Sequence, residues 1–295
     1  MTTKTPLLIE QHFHGAYGID FNKASANEII FLAKKLREIG IGGFFPTLVT
    51  DSVENIKKQI SEIKKAAKVQ KEILGIHLEG IFLNPNKRGI HNPTHFLDLT
   101  VENFKQIEDS FIKIVTLAPE LDNGLIEYLK LKNIKIQAGH CVGWGNVDGV
   151  THTFNAMEGI NHRNNSTALS TLINDNIYAE IIADGIHVSD DALRLFFKSK
   201  PKDKVILISD SLPITYSDSK IAHFADSEIH YDGEKATSKD GTIAGSTKLL
   251  PEIIKILKQK NMFDPQFINN VYKYHNIEPT GEIIWDEDFN IVSIS

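Results

Sequence analysis

Residues 75–80 read Gly75-Ile76-His77-Leu78-Glu79-Gly80, and this stretch closes a short apolar run that starts at Ile73. Aliphatic and β-branched residues that stop at a glycine are typical of a buried strand that ends at a loop. Glu79 is then expected at the C-terminal end of that strand, where a buried carboxylate needs a partner. A metal ion would serve as that partner, and a salt bridge to Arg or Lys is the alternative that a lone glutamate favours.

Three further apolar runs end in polar residues that can do chemistry, namely Ile134–His140, Gly149–His152 and Val205–Asp210. Near the N-terminus, His12 and His14 are two residues apart in another apolar run, so their side chains share one face of a strand. Imidazoles and carboxylates are common ligands of divalent metal ions. Their recurrence at the ends of several strands favours one shared site over several unrelated salt bridges.

The alternation of strand and helix patterns predicts the fold. The predicted strands cover residues 7–14, 43–49, 73–79, 112–117, 134–140, 149–152, 177–182 and 205–209. The predicted helices cover residues 25–39, 53–69, 102–107, 123–132, 167–176, 190–197, 247–258 and 265–274. Eight strands that mostly alternate with helices indicate an α/β fold of the closed (β/α)8 TIM barrel type. An open doubly wound sheet is the alternative, but the chain lacks a Gly-x-Gly-x-x-Gly turn for a dinucleotide.

The C-terminal ends of the barrel strands are where an active site is expected. The chemically competent side chains at these ends are His12, His14, Glu79, His140, His152, His187 and Asp210. Beyond the last strand, residues 216–239 are expected to form a long loop or a small excursion over the barrel mouth, and residues 281–294 a hairpin. We therefore expect a barrel domain over residues 1–275 and a C-terminal tail over residues 276–295 that packs on it.

The composition argues against several classes of function. The 295 residues carry a formal net charge of −6 without a dense basic stripe, which argues against nucleic acid as a partner. No apolar run approaches the roughly 20 residues needed to span a bilayer, so no membrane partner is expected. The single cysteine, Cys141, cannot form an intrachain disulfide and favours a reducing, cytoplasmic location.

A series of short motifs occurs in a characteristic order within residues 7–258. The motifs are His12–Gly15, Gly75–Gly80, Phe82–Pro85, Arg88–His91, Thr116–Glu120, Gly139–His140, Thr151–Met157, Ala183–His187, Ser209–Asp210 and Gly241–Ser246. Together they resemble the N-acetylglucosamine-6-phosphate deacetylases of the amidohydrolase superfamily. No single motif is decisive, but the ordered set makes the resemblance specific.

The resemblance implies a metal site formed by Glu79, His140 and His152, with water completing it. Three protein ligands and one open position describe a catalytic metal site rather than a structural one. Zinc is the first expectation, and iron or another divalent ion also suits nitrogen and oxygen ligands. His12 and His14 either form a second metal site or hydrogen-bond around a single ion, and the sequence leaves both alternatives open.

The resemblance also implies which residues act on the substrate. Asp210 matches the general base that takes a proton from the attacking water and later returns it to the departing amine. His187 matches the residue that contacts the carbonyl group or the sugar. Arg163 matches the arginine that binds the 6-phosphate, although an exposed arginine without a ligand is the alternative. The remaining implied substrate contacts are Ile90, His91, Asn155, Ala156, Ile243, Ala244 and Gly245.

The chain departs from the family pattern at several positions. Glu10 and Gln11 stand where an aspartate two residues ahead of His12 is usual, and Ile81 replaces a usual proline. The first barrel strand is predicted to start only a few residues after Met1. The family's β-sandwich, which its N-terminal residues help to form, is therefore expected to be absent or reduced to the C-terminal hairpin. The family's usual homodimer is an open expectation, because the β-sandwich is expected to be absent or reduced.

The sequence thus predicts a metal-dependent enzyme that hydrolyses the acetamide of N-acetylglucosamine 6-phosphate to glucosamine 6-phosphate and acetate. One alternative is a related amidohydrolase that acts on another N-acyl amino-sugar phosphate, such as N-acetylgalactosamine 6-phosphate. The other alternative is a barrel that binds sugar phosphates without turning them over. His223 and His230 match none of the motifs and are expected at the surface.

Overall fold

The computed structural model describes residues 2–164 and 166–295. The helices are α1 (Ala26–Glu38), α2 (Val53–Ala67), α3 (Val101–Lys105), α4 (Leu125–Leu131), α5 (Thr167–Ile173), α6 (Asp190–Ser199), α7 (Leu250–Gln259) and α8 (Gln266–His275). The strands are β1 (Thr3–Thr5), β2 (Leu8–Phe13), β3 (Gly15–Ala16), β4 (Ile19–Asp20), β5 (Ile41–Val49), β6 (Ile76–Glu79), β7 (Ile112–Leu117), β8 (Lys135–Ala138), β9 (Gly149–Val150), β10 (Tyr178–Ile182), β11 (Val205–Ile208), β12 (Ile221–Phe224), β13 (Ser227–Tyr231), β14 (Ala236–Ser238), β15 (Ile283–Trp285) and β16 (Ile291–Ile294). Each predicted barrel strand and helix is found, with its ends displaced by a few residues.

Eight parallel strands form the wall of a nearly closed barrel. They follow sequence order, β2 and then β5 to β11, and each pairs in parallel with the next. Between the last strand and the first, the Asp210 N–H donates a hydrogen bond to the His12 carbonyl oxygen at 2.9 Å. The His14 N–H donates to the Ser211 carbonyl oxygen at 2.8 Å. The predicted (β/α)8 barrel is confirmed, and its parallel strands bring all their C-terminal ends to one rim.

The helices cover the barrel because each presents one apolar face to it. The buried residues of α1 recur at helical spacing and are Ile29, Leu32, Ala33 and Leu36. The Ser25 hydroxyl accepts a hydrogen bond from the Glu28 N–H while the Glu28 carboxylate accepts one from the Ser25 N–H, so a capping box starts this helix. In the described parts of the chain, no helix combines the length and the apolar character needed to cross a membrane.

The chain turns sharply where β6 ends at Glu79. Gly80 follows with a φ of +145°, and a β-carbon there would overlap Thr50. The Thr50 hydroxyl also accepts a hydrogen bond from the Ile81 N–H at 3.0 Å. This turn stops the strand at the rim, so the buried carboxylate of Glu79 is the last side chain that β6 presents to the barrel mouth.

The expected excursion after the last barrel strand is a folded antiparallel sheet of β12, β13 and β14. Ala225 and Asp226, both with positive φ, make the two-residue turn between β12 and β13, as in a type I′ hairpin. Phe224 and Ile229 of this sheet pack with Val49 at the barrel rim in a separate apolar cluster. The sheet is therefore anchored on the barrel beside the C-terminal ends of its strands.

The two ends of the described chain form another small sheet, ordered β1-β15-β16. The predicted C-terminal hairpin is confirmed, while β1 was not predicted because three mostly polar residues give no strand pattern. Trp285 is fully buried, and its indole N–H donates to the Thr5 hydroxyl at 2.8 Å. The division into a barrel over 1–275 and a tail over 276–295 stays a prediction, and it would separate strands that share hydrogen bonds.

Candidate active site

A cavity of about 420 Å³ opens at the C-terminal rim of the barrel. The predicted site residues that line it are His14, Glu79, Ile90, His91, His140, His152, Asn155, Ala156, His187, Asp210, Ile243, Ala244 and Gly245. His12 does not line the cavity but is fully buried, with its Nε2 atom 3.3 Å from Glu79 Oε2. The barrel thus gathers side chains that are far apart in the sequence around one space.

Glu79, His140 and His152 meet at one point of this cavity. Glu79 Oε1 lies 3.2 Å from His140 Nε2 and 3.0 Å from His152 Nε2. The two imidazole nitrogens are 3.1 Å apart. When ligand atoms lie about 2.0–2.1 Å from a tetrahedral ion, they are about 3.3 Å from one another. The three atoms are therefore spaced like ligands of one small metal ion.

The hydrogen bond of His140 shows which of its ring nitrogens is free to bind a cation. His140 Nδ1 lies 2.8 Å from the Lys87 carbonyl oxygen, which can only accept, so Nδ1 carries a proton. In the neutral ring, Nε2 is then an unprotonated acceptor aimed at the Glu79 carboxylate. Two acceptors this close repel each other unless a positive charge lies between them. A ring held through its other nitrogen is the usual arrangement of a metal-binding histidine, and the donor set fits a divalent ion.

The other oxygen of Glu79 faces the second pair of histidines. Glu79 Oε2 lies 3.3 Å from His12 Nε2 and 3.2 Å from His14 Nε2. Asp210 Oδ1 is 3.0 Å from the same His14 nitrogen. His91 Nε2 is farther from the same oxygen of Glu79, at 3.7 Å. Glu79 Oε1 thus faces His140 and His152, Oε2 faces His12 and His14 most closely, and Asp210 joins the His12 side.

Asp210 follows β11 and lies in the same cavity. Burial opposes its negative charge, but the hydrogen bond from His14 and the nearby His12 hold the pKa of Asp210 below its ordinary value. The side chain is therefore a carboxylate near neutral pH. In that form it is ready to accept a proton from a water molecule in the cavity.

His187 is held by Asp184, a partner that sequence analysis did not identify. His187 Nδ1 lies 2.8 Å from Asp184 Oδ2, and its Nε2 lies 2.7 Å from the Ala244 carbonyl oxygen. Burial works against a charged ring, but the Asp184 carboxylate holds the pKa of His187 above its ordinary value. Both partners accept, so both ring nitrogens donate. Asp184 lies in the Ala183–His187 motif, three residues before His187. This short spacing was the sequence signal that could have identified Asp184 as the partner of His187.

Glu180 was also missed, and its main side-chain partner in the cluster is His12. Its Oε2 lies 3.0 Å from His12 Nδ1 and accepts from the His152 backbone N–H at 3.3 Å, while its Oε1 accepts from Gln11 Nε2 at 2.6 Å. Burial opposes its charge, but the adjacent His12 holds the pKa of Glu180 below its ordinary value. His12, His77 and Glu180 also come close enough to hold an ion. Hydrogen bonds already occupy both Glu180 oxygens, so this group is better described as support for His12.

Three of the ionisable site residues adopt backbone conformations that are uncommon outside glycine. The φ angles are +48° at His140, +29° at His152 and +52° at Asp210. Such conformations cost about 1–3 kcal/mol each and persist where the surrounding structure enforces them, often at functional sites. All three follow the ends of barrel strands, so the strained positions coincide with the residues that surround the cavity.

Arg163 does not lie with the other predicted site residues. Its side chain is exposed, its Nε donates to His162 Nε2 at 3.2 Å, and it is not part of the cavity lining. The basic residues that do line the cavity are Lys87 and Arg88. Lys87 is already paired with Glu158 at 3.2 Å. Phosphate binding by Arg163 therefore stays a prediction that this arrangement does not support.

Comparisons with known proteins identify relatives of the chain. No family model matches the chain. It is 34% identical to the N-acetylglucosamine-6-phosphate deacetylase of Bacillus subtilis over 82% of this chain and 66% of the relative. It is 30% identical to that of Caenorhabditis elegans over 86% of this chain and 68% of the relative. It is 28% identical to the N-acetylgalactosamine-6-phosphate deacetylase of Escherichia coli O157:H7 over 82% of this chain and 68% of the relative.

The solved structures share the fold. The N-acetyl-D-glucosamine-6-phosphate deacetylase of Mycobacterium smegmatis superimposes with a TM-score of 0.92, covering 100% of this chain and 86% of that one at 21% identity. The chain spans about two thirds of the length of the curated relatives, from 66% to 68% in the three cases above.

Proposed function

The chain belongs to the N-acetylglucosamine-6-phosphate deacetylase family, and we propose that it hydrolyses the acetamide of N-acetylglucosamine 6-phosphate to glucosamine 6-phosphate and acetate. One observation carries the proposal. Glu79, His140 and His152 place three ligand atoms within 3.2 Å of one another, and Asp210 lines the same cavity. That combination supplies an ion site and a proton acceptor next to space for a substrate.

The metal site is part of the proposal. Glu79, His140 and His152 would hold the ion, with zinc the first expectation and iron or another divalent ion an alternative. A bound ion would polarise the amide carbonyl group and lower the pKa of a water molecule. His12 and His14, with the second oxygen of Glu79, are the proposed ligands of a second ion.

Asp210 is the proposed proton carrier. As a carboxylate it takes a proton from the water molecule that attacks the acetyl carbonyl carbon. It then returns that proton to the amide nitrogen as the carbon–nitrogen bond breaks. The amine leaves as a neutral group because its nitrogen has received that proton, and the other product is acetic acid, which ionises to acetate near neutral pH. Asp210 thus ends as the carboxylate it started as.

His187 is proposed to contact the carbonyl oxygen of the substrate. Its Nε2–H now donates to the Ala244 carbonyl oxygen. A substrate carbonyl oxygen that took this hydrogen bond would develop negative charge beside an imidazolium, which stabilises the transition state. Asp184 keeps both the orientation and the charge of the ring.

The remaining cavity residues are proposed to bind the amino-sugar phosphate. Ile90, His91, Asn155, Ala156, Ile243, Ala244 and Gly245 are the proposed contacts. Arg163 remains the proposed phosphate ligand from the family resemblance, and its side chain would have to change direction to reach the cavity. N-acetylgalactosamine 6-phosphate is the second candidate substrate, because an E. coli relative is named for its deacetylation.

The test is acetate and amine release from N-acetylglucosamine 6-phosphate, with metal content measured in the same samples. We expect Asp210→Asn to lose about 10²–10⁴-fold in kcat while it keeps the metal content of the wild type. Asp218→Asn, at an exposed aspartate outside the cavity lining, is the matched control and should retain full activity. A metal-loaded wild type without turnover on either acetylated sugar phosphate would favour a barrel that only binds its ligand.

Location and assembly complete the proposal. Cys141 is buried, and burial raises the pKa of its thiol to about 12, so it is an unreactive thiol that suits a reducing cytoplasm. A homodimer is also proposed from the family resemblance. Light scattering of the purified chain would measure its mass directly.

A further inference from the structure

One side of the cavity is apolar, whereas the rest of its lining is mostly polar. Val49, Ile90 and Phe224 line the cavity and belong to one apolar cluster. Lys87 and Asn155 are among the polar residues that line the same cavity. The cavity therefore offers two different chemical environments to a bound molecule.

Phe224 brings this apolar surface next to the reacting groups. Its ring centroid lies 5.1 Å from that of His14, whose Nε2 is 3.0 Å from Asp210 Oδ1. The Phe224 side chain is almost fully buried. It therefore lies one side chain away from the group proposed to carry the proton.

The position of Phe224 is rigid. It is the last residue of β12, directly before the two-residue turn at Ala225 and Asp226. Behind it, Leu212 and Ile229 belong to the same buried cluster. Close-packed interiors resist additional atoms, and forcing methylene groups into them displaces side chains at a cost. The ring cannot move aside easily to admit a larger group.

The substrate has one apolar group close to the scissile bond. The amide carbon carries an oxygen, which is proposed to meet His187, a nitrogen, which receives the proton from Asp210, and a methyl group. The sugar and its phosphate are polar and suit the polar lining. The methyl group is the wholly apolar part of the substrate and gains most from contact with the apolar side.

We propose that Phe224, together with Val49 and Ile90, forms the acyl pocket and restricts the enzyme to short acyl groups such as acetyl. This inference rests on the proposed deacetylase function. It assigns Phe224, from the small sheet outside the barrel, as the residue that sets acyl-chain specificity.

The experiment measures amine release from the N-acetyl, N-propanoyl and N-butanoyl forms of glucosamine 6-phosphate. Because a methylene group in an apolar pocket changes kcat/KM by about 10–200-fold, Phe224→Ala should raise the butanoyl-to-acetyl ratio of kcat/KM by about 10-fold or more. Phe224→Leu, a milder change, should raise the ratio less and keep the sheet folded. Ile221→Ala is the matched control, since Ile221 lies on the same strand, is exposed and does not line the cavity.

The outcomes separate the two proposals. An unchanged ratio in folded Phe224→Ala and Phe224→Leu, with an active wild type, would overturn the acyl pocket and leave the deacetylase function standing. N-acetylgalactosamine 6-phosphate is assayed beside these compounds. A changed preference between the two N-acetyl epimers at a constant acyl ratio would show that Phe224 contacts the sugar instead. A metal-loaded wild type that releases no amine from any of the three compounds would overturn the function itself.

Discussion

The two sides of the Glu79 carboxylate are supported in different ways. On one side, His140 is oriented by a backbone carbonyl, that of Lys87 at 2.8 Å. On the other side, His12 is oriented by a buried carboxylate, Glu180, at 3.0 Å. The His12 side also holds Asp210, so negative charge accumulates there. The His140 side therefore matches a single-ion site, whereas the His12 side needs either protonated imidazoles or another cation.

Among changes to the groups that hold the histidines in place, the largest effect is expected from removal of the charge that supports His12. Changes to residues that orient metal ligands typically cost 10–100-fold in metal affinity or activity. Glu180→Gln should therefore lower the affinity of the His12 side for a zinc ion by about that factor. The His140 side should keep its ion. Calorimetric titration of the metal-free protein with zinc measures the affinity for the ion on the His140 side and for the ion on the His12 side.

Glu278→Gln is the matched control for that titration, because Glu278 is an exposed glutamate far along the chain from the site residues. Its isotherm should equal that of the wild type. If Glu180→Gln also gave the wild-type isotherm, the Glu180 carboxylate would not be needed for metal binding on the His12 side of Glu79. If it lost all binding, Glu180 would support the whole cluster rather than one side.

A smaller effect is expected where a carboxylate orients a histidine that binds no metal ion. Asp184→Asn should lower the pKa of His187, because the ring loses an adjacent negative charge. A raised folded-state pKa stabilises the protein below the unfolded pKa of about 6.5, and this stabilisation is lost as the pH rises through the folded-state pKa. The variant should therefore be destabilised more at pH 6 than at pH 9.

A titration of the His187 ring signals by NMR, combined with urea unfolding at the two pH values, checks this prediction. Asp218→Asn serves again as the control for a lost surface charge. An unchanged His187 pKa in Asp184→Asn would show that the 2.8 Å contact does not set the charge of the ring.

The smallest effect is expected far from both sides of Glu79. Ser25→Ala removes the capping hydroxyl of α1 and should lower the free energy of unfolding by about 1 kcal/mol. Metal affinity and kcat/KM should not change. Ser61→Ala, at an exposed position inside α2, is the control without a capping role. A loss of metal affinity in Ser25→Ala would mean that the site is coupled to helix packing.

Much of the fold and part of the site were predictable from local sequence pattern. Glu79, His140 and Asp210 each follow an apolar run, so strand periodicity placed them at one rim. Glu180 lies inside the strand β10, where its neighbours suggested only a buried core, and its partner His12 is 168 residues away. The strand β1 was missed because its pairing with β15 is a contact between the two ends of the chain. Such long-range contacts leave no periodic signal in a single sequence.

Arg163 shows the opposite limit. The resemblance assigned its role by sequence position, but the side chain is exposed and outside the cavity lining. A position in an ordered motif predicts the backbone location better than the direction of a long, flexible side chain. The rotamer entropy of arginine allows many directions at similar free energy.

The most direct test of the central claim is anomalous diffraction from crystals of the zinc-loaded protein that is active in solution. We expect a zinc peak within about 2.2 Å of Glu79 Oε1, His140 Nε2 and His152 Nε2. A peak elsewhere, with these three atoms still in contact and the enzyme active, would contradict it.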